Sequence, residues 1–291
     1  MKVSLLGLGP MGAPVAANLV RGLGALTVWN RTPGKADEVV ALGARRAASP
    51  ADAAADVVLT VLPDLPQVES VLHGREGLLA GWRRDRMPEP VLVVHGTVSP
   101  VAMRTFAEGL RREHGVRVVD APMSGGVPGA ERGELSLMVG GDPADVEALA
   151  PVFAPIASTV VHFGPSGSGQ LAKACNQVVV AGTIAALCEA LCLADRYGLS
   201  RADLLAALAG GLAGSTVLDQ KRERWLREDF TGGGSARNQL KDLRFAREAA
   251  NAAEAPSELT ALLHDQFHRM VAAGDGELDH SGLLRTIAAG T

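Results

Sequence analysis

The chain has 291 residues, enough for two domains with separate cores, and a composition that is 47% hydrophobic and 21% charged, as in a globular protein. Aromatic residues make up only 3%, so the cores must be built mainly from Ala, Val and Leu. The 28 basic and 32 acidic residues leave a net charge of −4, which gives no footprint for nucleic acid or an anionic membrane surface.

The first half alternates short β-like runs with helical ones. KVSLLG (2–7), ALTVWN (25–30), VVLTVL (57–62), VLVVHG (91–96) and VRVVDA (116–121) are the strand candidates. Amphipathic segments near 11–22, 34–43, 66–72 and 100–114 lie between them. This alternation predicts a parallel sheet covered on both faces, which LSLMVG (135–140) and TVVHFG (159–164) extend. After Gly169 the β-like runs stop. Residues 170–198 contain no proline and one internal glycine, Gly182, and predict one long, largely buried helix. Helical patterns follow at 201–211, 217–227, 236–252, 256–273 and 280–289. The expected architecture is α/β: an N-terminal Rossmann dinucleotide-binding domain over 1–163, then an all-α domain over 164–291, joined by the long helix.

Cys175, Cys188 and Cys192 all fall in that helix. An odd count without a framework predicts a reducing compartment and small core residues, and the spacing carries no metal signature. No charged segment leads into a cleavable apolar one, and no stretch approaches the ~20 apolar residues of a membrane span. A soluble cytoplasmic protein is expected.

Four stretches carry chemistry. In GLGPMGAPVAANL (7–19), a GxGxxG pattern follows an apolar strand and opens a helix, the context a dinucleotide clasp requires. Gly7 permits the tight turn, Gly9 leaves the backbone open to a pyrophosphate, and Gly12 allows close helix–strand contact. The phosphates would sit on free N–H groups at the helix start, where Leu8, Pro10 and Met11 complete the loop. A purely structural turn is the alternative. The second strand ends in WNRT (29–32), where an NAD site usually has an acid for the ribose 2′-hydroxyl. Asn30 stands there, with Arg31 and Thr32 next and Lys35 one turn on. An arginine fork binds a 2′-phosphate, so NADP is expected to be preferred, with NAD possible. Otherwise Arg31 is a solvated charge stacking on adenine.

DAPMSGGVPGAERGELSLMVGG (120–141) is too glycine-dense for a helix or strand interior. Ser124, Gly125 and Gly126 follow a strand and can offer several N–H groups to an anion, or form a flexible hairpin. In GPSGSGQLAKACNQ (164–177), Lys173, Asn176 and Gln177 stand at i, i+3 and i+4 on one helix face. A buried lysine is expensive without purpose and can act as acid or base; near the helix start it can also snorkel. In NQLKDLRFA (238–246), Lys241 and Asp242 interrupt an apolar face.

Together and in order, these stretches resemble the β-hydroxyacid dehydrogenases, a family that includes 3-hydroxyisobutyrate dehydrogenase, tartronate semialdehyde reductase and the glyoxylate/succinic semialdehyde reductases. The resemblance spans essentially the whole chain. It implies that Lys173 is the catalytic lysine and that Ser124, Gly125 and Gly126 hold the substrate carboxylate. It implies that Leu62 and Pro63 form a cofactor-side loop, that Thr97 contacts cofactor, and that Lys241 lies near the nicotinamide. It also implies a 6-phosphogluconate dehydrogenase-like helical domain and a homodimer or homotetramer through that domain. The family's D-x-S-T motif reads Val94-His95-Gly96-Thr97 here, so its Asp and Ser are missing, and His95 is expected to be a bystander. Asn176-Gln177 looks more like the tartronate semialdehyde reductase branch than the Asn-Asn of many 3-hydroxyisobutyrate dehydrogenases.

The expected reaction is hydride transfer between nicotinamide and a small β-hydroxy acid or semialdehyde acid, in a cleft between the domains. Lys173 moves the proton, and Asn176 and Gln177 orient the substrate or the lysine. No metal is called for. Two rivals are an imine-reductase-like enzyme and a non-catalytic NADP-binding module, and Lys173 counts against both.

Overall fold

The structure is a computed structural model and describes residues 1–290. One sheet holds nine strands: β1 (Val3–Leu6), β2 (Thr27–Trp29), β3 (Arg45–Arg46), β4 (Val57–Thr60), β5 (Val91–Val94), β6 (Arg117–Asp120), β7 (Met123–Ser124), β8 (Leu135–Gly140) and β9 (Ala157–Gly164). Their order is β3-β2-β1-β4-β5-β6-β8-β7, with β9 also paired to β8. The first six run parallel. β8 then lies antiparallel to β6 and β7, and parallel to β9. The sheet is therefore mixed, not wholly parallel, because β7, β8 and the short helix between them return the chain as a hairpin after Asp120.

Strict alternation along the strands feeds two cores. Val3, Leu5, Val57, Leu59, Val91, Val93 and Val119 face one layer with Val15, Leu19 and Phe153. Leu6, Val58, Leu92, Val94 and Val118 face the other, with Trp82 and Met103. Both faces of β1, β4 and β5 are buried, as parallel strands between helical layers require. The helices start where the sequence allows. Ser99 caps Pro100–His114 by accepting from Ala102 N at 3.2 Å, with Pro100 at the first helical position and Gly115 left-handed at its end.

Internal contacts divide the chain into two compact units, residues 1–173 and the residues from 174 onward. The second unit is helical: Arg201–Ala209, Thr216–Arg227, Ala236–Ala252, Glu258–Met270 and Leu283–Ala288 follow the long helix Ser168–Arg196. Trp225, Phe230 and Phe267 fill its core. The Trp225 indole donates to the Ser281 carbonyl at 3.1 Å. Asp279, wholly buried, accepts from Lys221 Nζ at 2.7 Å.

Three expectations need correction. The segment 120–141 does hold a strand and a helix, β7 and Gly126–Arg132, because positive φ at Gly125 and Gly126 confines the glycine-dependent turn to two residues. The helix Ser168–Arg196 is not largely buried: Leu171, Val179 and Leu193 are exposed, and so is Cys175, which is no core residue. By length and composition that helix is apolar enough to cross a membrane, where no stretch was expected to approach a span. Thr183 and Glu189 break the run, but the valines, leucines and isoleucine around them keep its mean hydropathy high. One of its faces nonetheless belongs to the core, through Ile184, Leu187, Cys188 and Leu191.

Candidate active site

Parallel order places the ends of β2, β1, β4, β5 and β6 side by side at the carboxyl edge of the sheet. The loops leaving them carry Asn30–Lys35, Gly7–Gly12, Leu62–Pro63, Gly96–Thr97 and Ser124–Gly126, all within the first unit. Ligands of open α/β sheets bind outside these ends.

The three loop glycines differ in cause. Gly7 has φ +100°, and a Cβ there would meet Val61 O at 2.4 Å. A Cβ on Gly12 would stand 1.9 Å from Gly7 O. Those two are glycines because the turn is tight. At Gly9 nothing lies within 4 Å of a Cβ and φ is not positive, so the protein itself gives no reason for glycine there. The helix Gly12–Leu23 has no side-chain cap at Met11. Open space at Gly9 beside an uncapped helix start fits a dinucleotide pyrophosphate.

Asn30 does local work: Leu8 N donates to its Oδ1 at 2.9 Å, and its Nδ2 donates to Thr32 O at 2.9 Å. It ties the glycine loop to the end of β2. Arg31, Thr32 and Lys35 are exposed beyond it. A Cβ on Gly96 would lie 1.9 Å from Leu62 O, so the β4 and β5 loops touch where a serine could not fit. Val94, where the family has Asp, is a fully buried strand residue.

His95 is 2% exposed. Its Nδ1 donates to Ala121 O at 2.7 Å and its Nε2 is buried without a partner. Burial lowers its pKa to about 4 against that hydrogen bond, so the ring is neutral and sealed from any reacting group.

Asp120, at the end of β6, is wholly buried. It accepts from Gly167 N at 2.6 Å and Gln170 N at 2.7 Å, which anchors the start of the helix Ser168–Arg196. Burial pushes its carboxyl up to about 6, opposed by those backbone N–H groups. The buried Gln170 accepts from Val98 N at 3.0 Å and donates to Gly96 O at 2.8 Å. One turn further stands Lys173, 7% exposed. β6 thus supplies both the anchor for the lysine's helix and, through β7, the loop Ser124–Gly126. Gly125 and Gly126 there have φ of 129° and 65°, a backbone that favours glycine.

In the second unit, Gln177 Nε2 donates to Asp242 Oδ2 at 2.7 Å and lies 3.4 Å from Gln239 Oε1. His280 Nδ1 meets the same Gln239 oxygen at 3.1 Å. Lys241 lies 3.5 Å from Asp242 and over the Phe245 ring at 5.5 Å. Asn176 is half-buried on the same helix as Gln177. Among the described residues no group of three or more His, Cys, Asp or Glu could hold a metal ion.

Asp120, Gln170 and Gln239 were not legible as site residues. Asp120 and Gln170 bond backbone groups far away in sequence, and no local pattern marks such contacts. An acid ending a strand just before the glycine-rich segment was the one available hint.

A Rossmann sheet whose first loop has room for a pyrophosphate defines a dinucleotide-binding protein. Residues 2–164 match the family described as the NAD-binding domain of 6-phosphogluconate dehydrogenase. Residues 167–287 match the family described as the NAD-binding domain of NADP-dependent 3-hydroxyisobutyrate dehydrogenase. The chain is 36% identical over 289 residues to the 2-hydroxy-3-oxopropionate reductase of Escherichia coli (strain K12), covering 99% of this chain and 97% of that one. It is 33% identical over 290 residues to the NAD-dependent L-serine dehydrogenase of Pseudomonas aeruginosa, covering 96% and 95%. Among solved structures it is similar to Mycobacterium tuberculosis 3-hydroxyisobutyrate dehydrogenase with L-serine, with a TM-score of 0.84, 32% identity and 98% of each chain covered. The chain belongs to the β-hydroxyacid dehydrogenase family and is an NAD(P)-dependent hydroxyacid dehydrogenase.

Proposed function

We propose that this enzyme reduces a small semialdehyde acid, or oxidises the matching β-hydroxy acid, with NADP(H) preferred and Lys173 as acid/base. The carrying observation is the buried Lys173, on a helix anchored at the strand end from which the Ser124–Gly126 loop also grows. Residues 1–163 act as the nucleotide domain and 164–291 as the substrate and oligomerisation domain.

Bound nicotinamide supplies or accepts the hydride. Gly7, Leu8, Gly9, Pro10, Met11 and Gly12 receive the pyrophosphate. Leu62, Pro63 and Thr97 flank the nucleotide, and Lys241 serves its nicotinamide end. Arg31, helped by Lys35, takes the 2′-phosphate; Asn30 is engaged with Leu8, and no carboxylate stands at that strand end to repel it. The backbone donors of Ser124, Gly125 and Gly126 hold the substrate carboxylate. Lys173 gives a proton to the carbonyl oxygen during reduction and takes it back during oxidation. Its charge acts most strongly as the oxygen gains negative charge, an interaction that favours the transition state. Asn176 and Gln177, next on the same helix face, orient the substrate. The family's serine- and oxopropionate-processing members support a small substrate with a carboxylate. Exposed apolar residues of the helical region, Val179, Leu193, Leu259 and Leu262, support a homodimer or homotetramer. The cytoplasm suits the unpaired cysteines.

The test is a panel of short semialdehydes and β-hydroxy acids with both cofactors, run on wild type, Lys173→Ala and Lys173→Arg. Turnover of Lys173→Ala should fall by about 10²–10⁴, the range for losing a general acid or base, while NADPH fluorescence titration stays near wild type. Lys173→Arg should not rescue it, because a guanidinium stays protonated at any usable pH. An alanine variant keeping more than about a tenth of wild-type turnover would remove Lys173 from the mechanism.

A further inference from the structure

We propose that Gln170 is a positioning residue: its buried amide ties the Gly96–Val98 turn to the helix turn that leads into Lys173. This rests on the reading of Lys173 as the acid/base and of Thr97 as a cofactor contact.

Two backbone groups of the turn after β5 face Gln170. The Val98 N–H donates to Oε1 at 3.0 Å, and Nε2 donates to the Gly96 carbonyl at 2.8 Å. Thr97 is the residue between those two bonds, so the amide brackets it. The buried Val98 N–H and the part-buried Gly96 C=O both need partners, and a primary amide supplies an acceptor and a donor in one flat group. Leucine or methionine would fill the space and leave both backbone groups unpaired.

The other end of the brace is equally fixed. Gln170 N donates to Asp120 Oδ2 at 2.7 Å. At the preceding Gly169 a Cβ would stand 2.3 Å from Met138 O and 2.8 Å from Gly140 N, so this turn rests directly on sheet backbone. The helix start can neither slide nor rotate while these contacts hold. Lys173 lies three residues on, on the same face as Gln170, so its ammonium inherits that placement. The ionisable groups closest to this junction include Asp120, His95, Lys173 and Arg104, whose side chain borders Gly167. Proton transfer needs sub-ångström alignment, whereas folding needs only that the space be filled.

The test compares Gln170→Met and Gln170→Glu with wild type and Lys173→Ala, following NADPH oxidation with succinic semialdehyde across pH. Thermal melts establish that each variant is folded at the assay temperature. In Gln170→Met, kcat should fall about 10- to 100-fold, the penalty of slight misplacement, with NADPH Kd altered much less. Gln170→Glu gives the distinguishing signature. Its introduced carboxyl repels the Gly96 carbonyl when ionised, but when protonated it offers the same acceptor and donor as the amide. Its activity relative to wild type should therefore recover as pH falls, a recovery that mere loss of packing does not give. Should Gln170→Met not fold, the Gln170→Glu profile carries the test alone. Wild-type kcat in Gln170→Met, or a Gln170→Glu variant as impaired at low pH as at high, overturns the proposal. Unimpaired Gln170 variants beside an inactive Lys173→Ala refute the brace alone; an active Lys173→Ala refutes the lysine reading instead.

Discussion

Two loop glycines three residues apart should respond to alanine in opposite ways. On Gly12 the added Cβ would stand 1.9 Å from Gly7 O, 2.9 Å from Gly7 C and 3.3 Å from Val61 Cβ. The first is about 1.5 Å inside an ordinary contact, and the obstacle is backbone, so helix and strand must separate. Overpacking of that kind costs roughly 2–3 kcal/mol, and about 5–10 °C in Tm for a domain of this size. On Gly9 the Cβ meets nothing within 4 Å and φ is not positive. Removing glycine freedom from the unfolded chain should then stabilise by about 0.4–1 kcal/mol. The methyl group would occupy the space assigned to the pyrophosphate. Losing one charge-assisted backbone contact is worth about 1.5–3 kcal/mol, so NADPH Kd should rise about 10- to 100-fold. The assays are melts without nucleotide and fluorescence titration with NADPH. Wild-type NADPH affinity in Gly9→Ala would refute the placement of the pyrophosphate, and a wild-type melt for Gly12→Ala would refute the packing argument.

Two further outcomes are expected. Arg31→Ala should raise the KM for NADPH about 10- to 100-fold and leave that for NADH nearly unchanged, since only NADPH offers a 2′-phosphate to a charge-assisted fork; equal changes for both cofactors would exclude that role. His95 has a folded pKa of about 4, below the ordinary 6.5, so the stability it contributes is full above pH 6.5 and is lost as pH falls through 4. That loss is about 3 kcal/mol, and urea melts of His95→Gln should lack it; identical acid sensitivity in the two proteins would contradict the buried neutral ring.

Much of the fold was legible because burial leaves a mark on composition. β1, β4, β5 and β6 are short valine- and leucine-rich runs, nearly unbroken in apolar residues because successive side chains enter two different cores. The elements that escaped lack that signal. β3 is two exposed arginines at the sheet edge, held by backbone pairing to β2. The helix Leu78–Arg84 is seven residues long, too short to show a helical period, and contains Gly81, whose Cβ would meet Ala51 O at 2.2 Å. The helix Gly126–Arg132 was hidden by the two left-handed glycines that begin it. Overestimated burial of Ser168–Arg196 has the reverse cause: apolar content signals burial only when some surface covers it, and Leu171, Val179 and Leu193 have none within the chain.

The site divides along a similar line. Residues that would face a ligand are constrained in type, so Gly9 and Lys173 stood out. The residues that hold them are constrained by distant backbone: Asn30 ties Leu8 to Thr32, and no local pattern marks the contacts of Asp120 and Gln170. Asp120 shows why holding residues matter to the chemistry. Its folded pKa of about 6 exceeds the unfolded 3.8, so the stability linked to its protonation is present below pH 3.8 and lost as pH rises through 6. At neutral pH the ionised carboxylate therefore burdens the folded state by about 3 kcal/mol relative to the protonated acid. A neutral side chain of similar shape would spare the fold that charge. What the anion supplies is two short bonds, 2.6 and 2.7 Å, to N–H groups at the start of the helix bearing Lys173, where the helix dipole favours negative charge. The fold tolerates a costly charge at the one strand end where it fixes the lysine's helix, which is how conformational stability is exchanged for placement at a functional site.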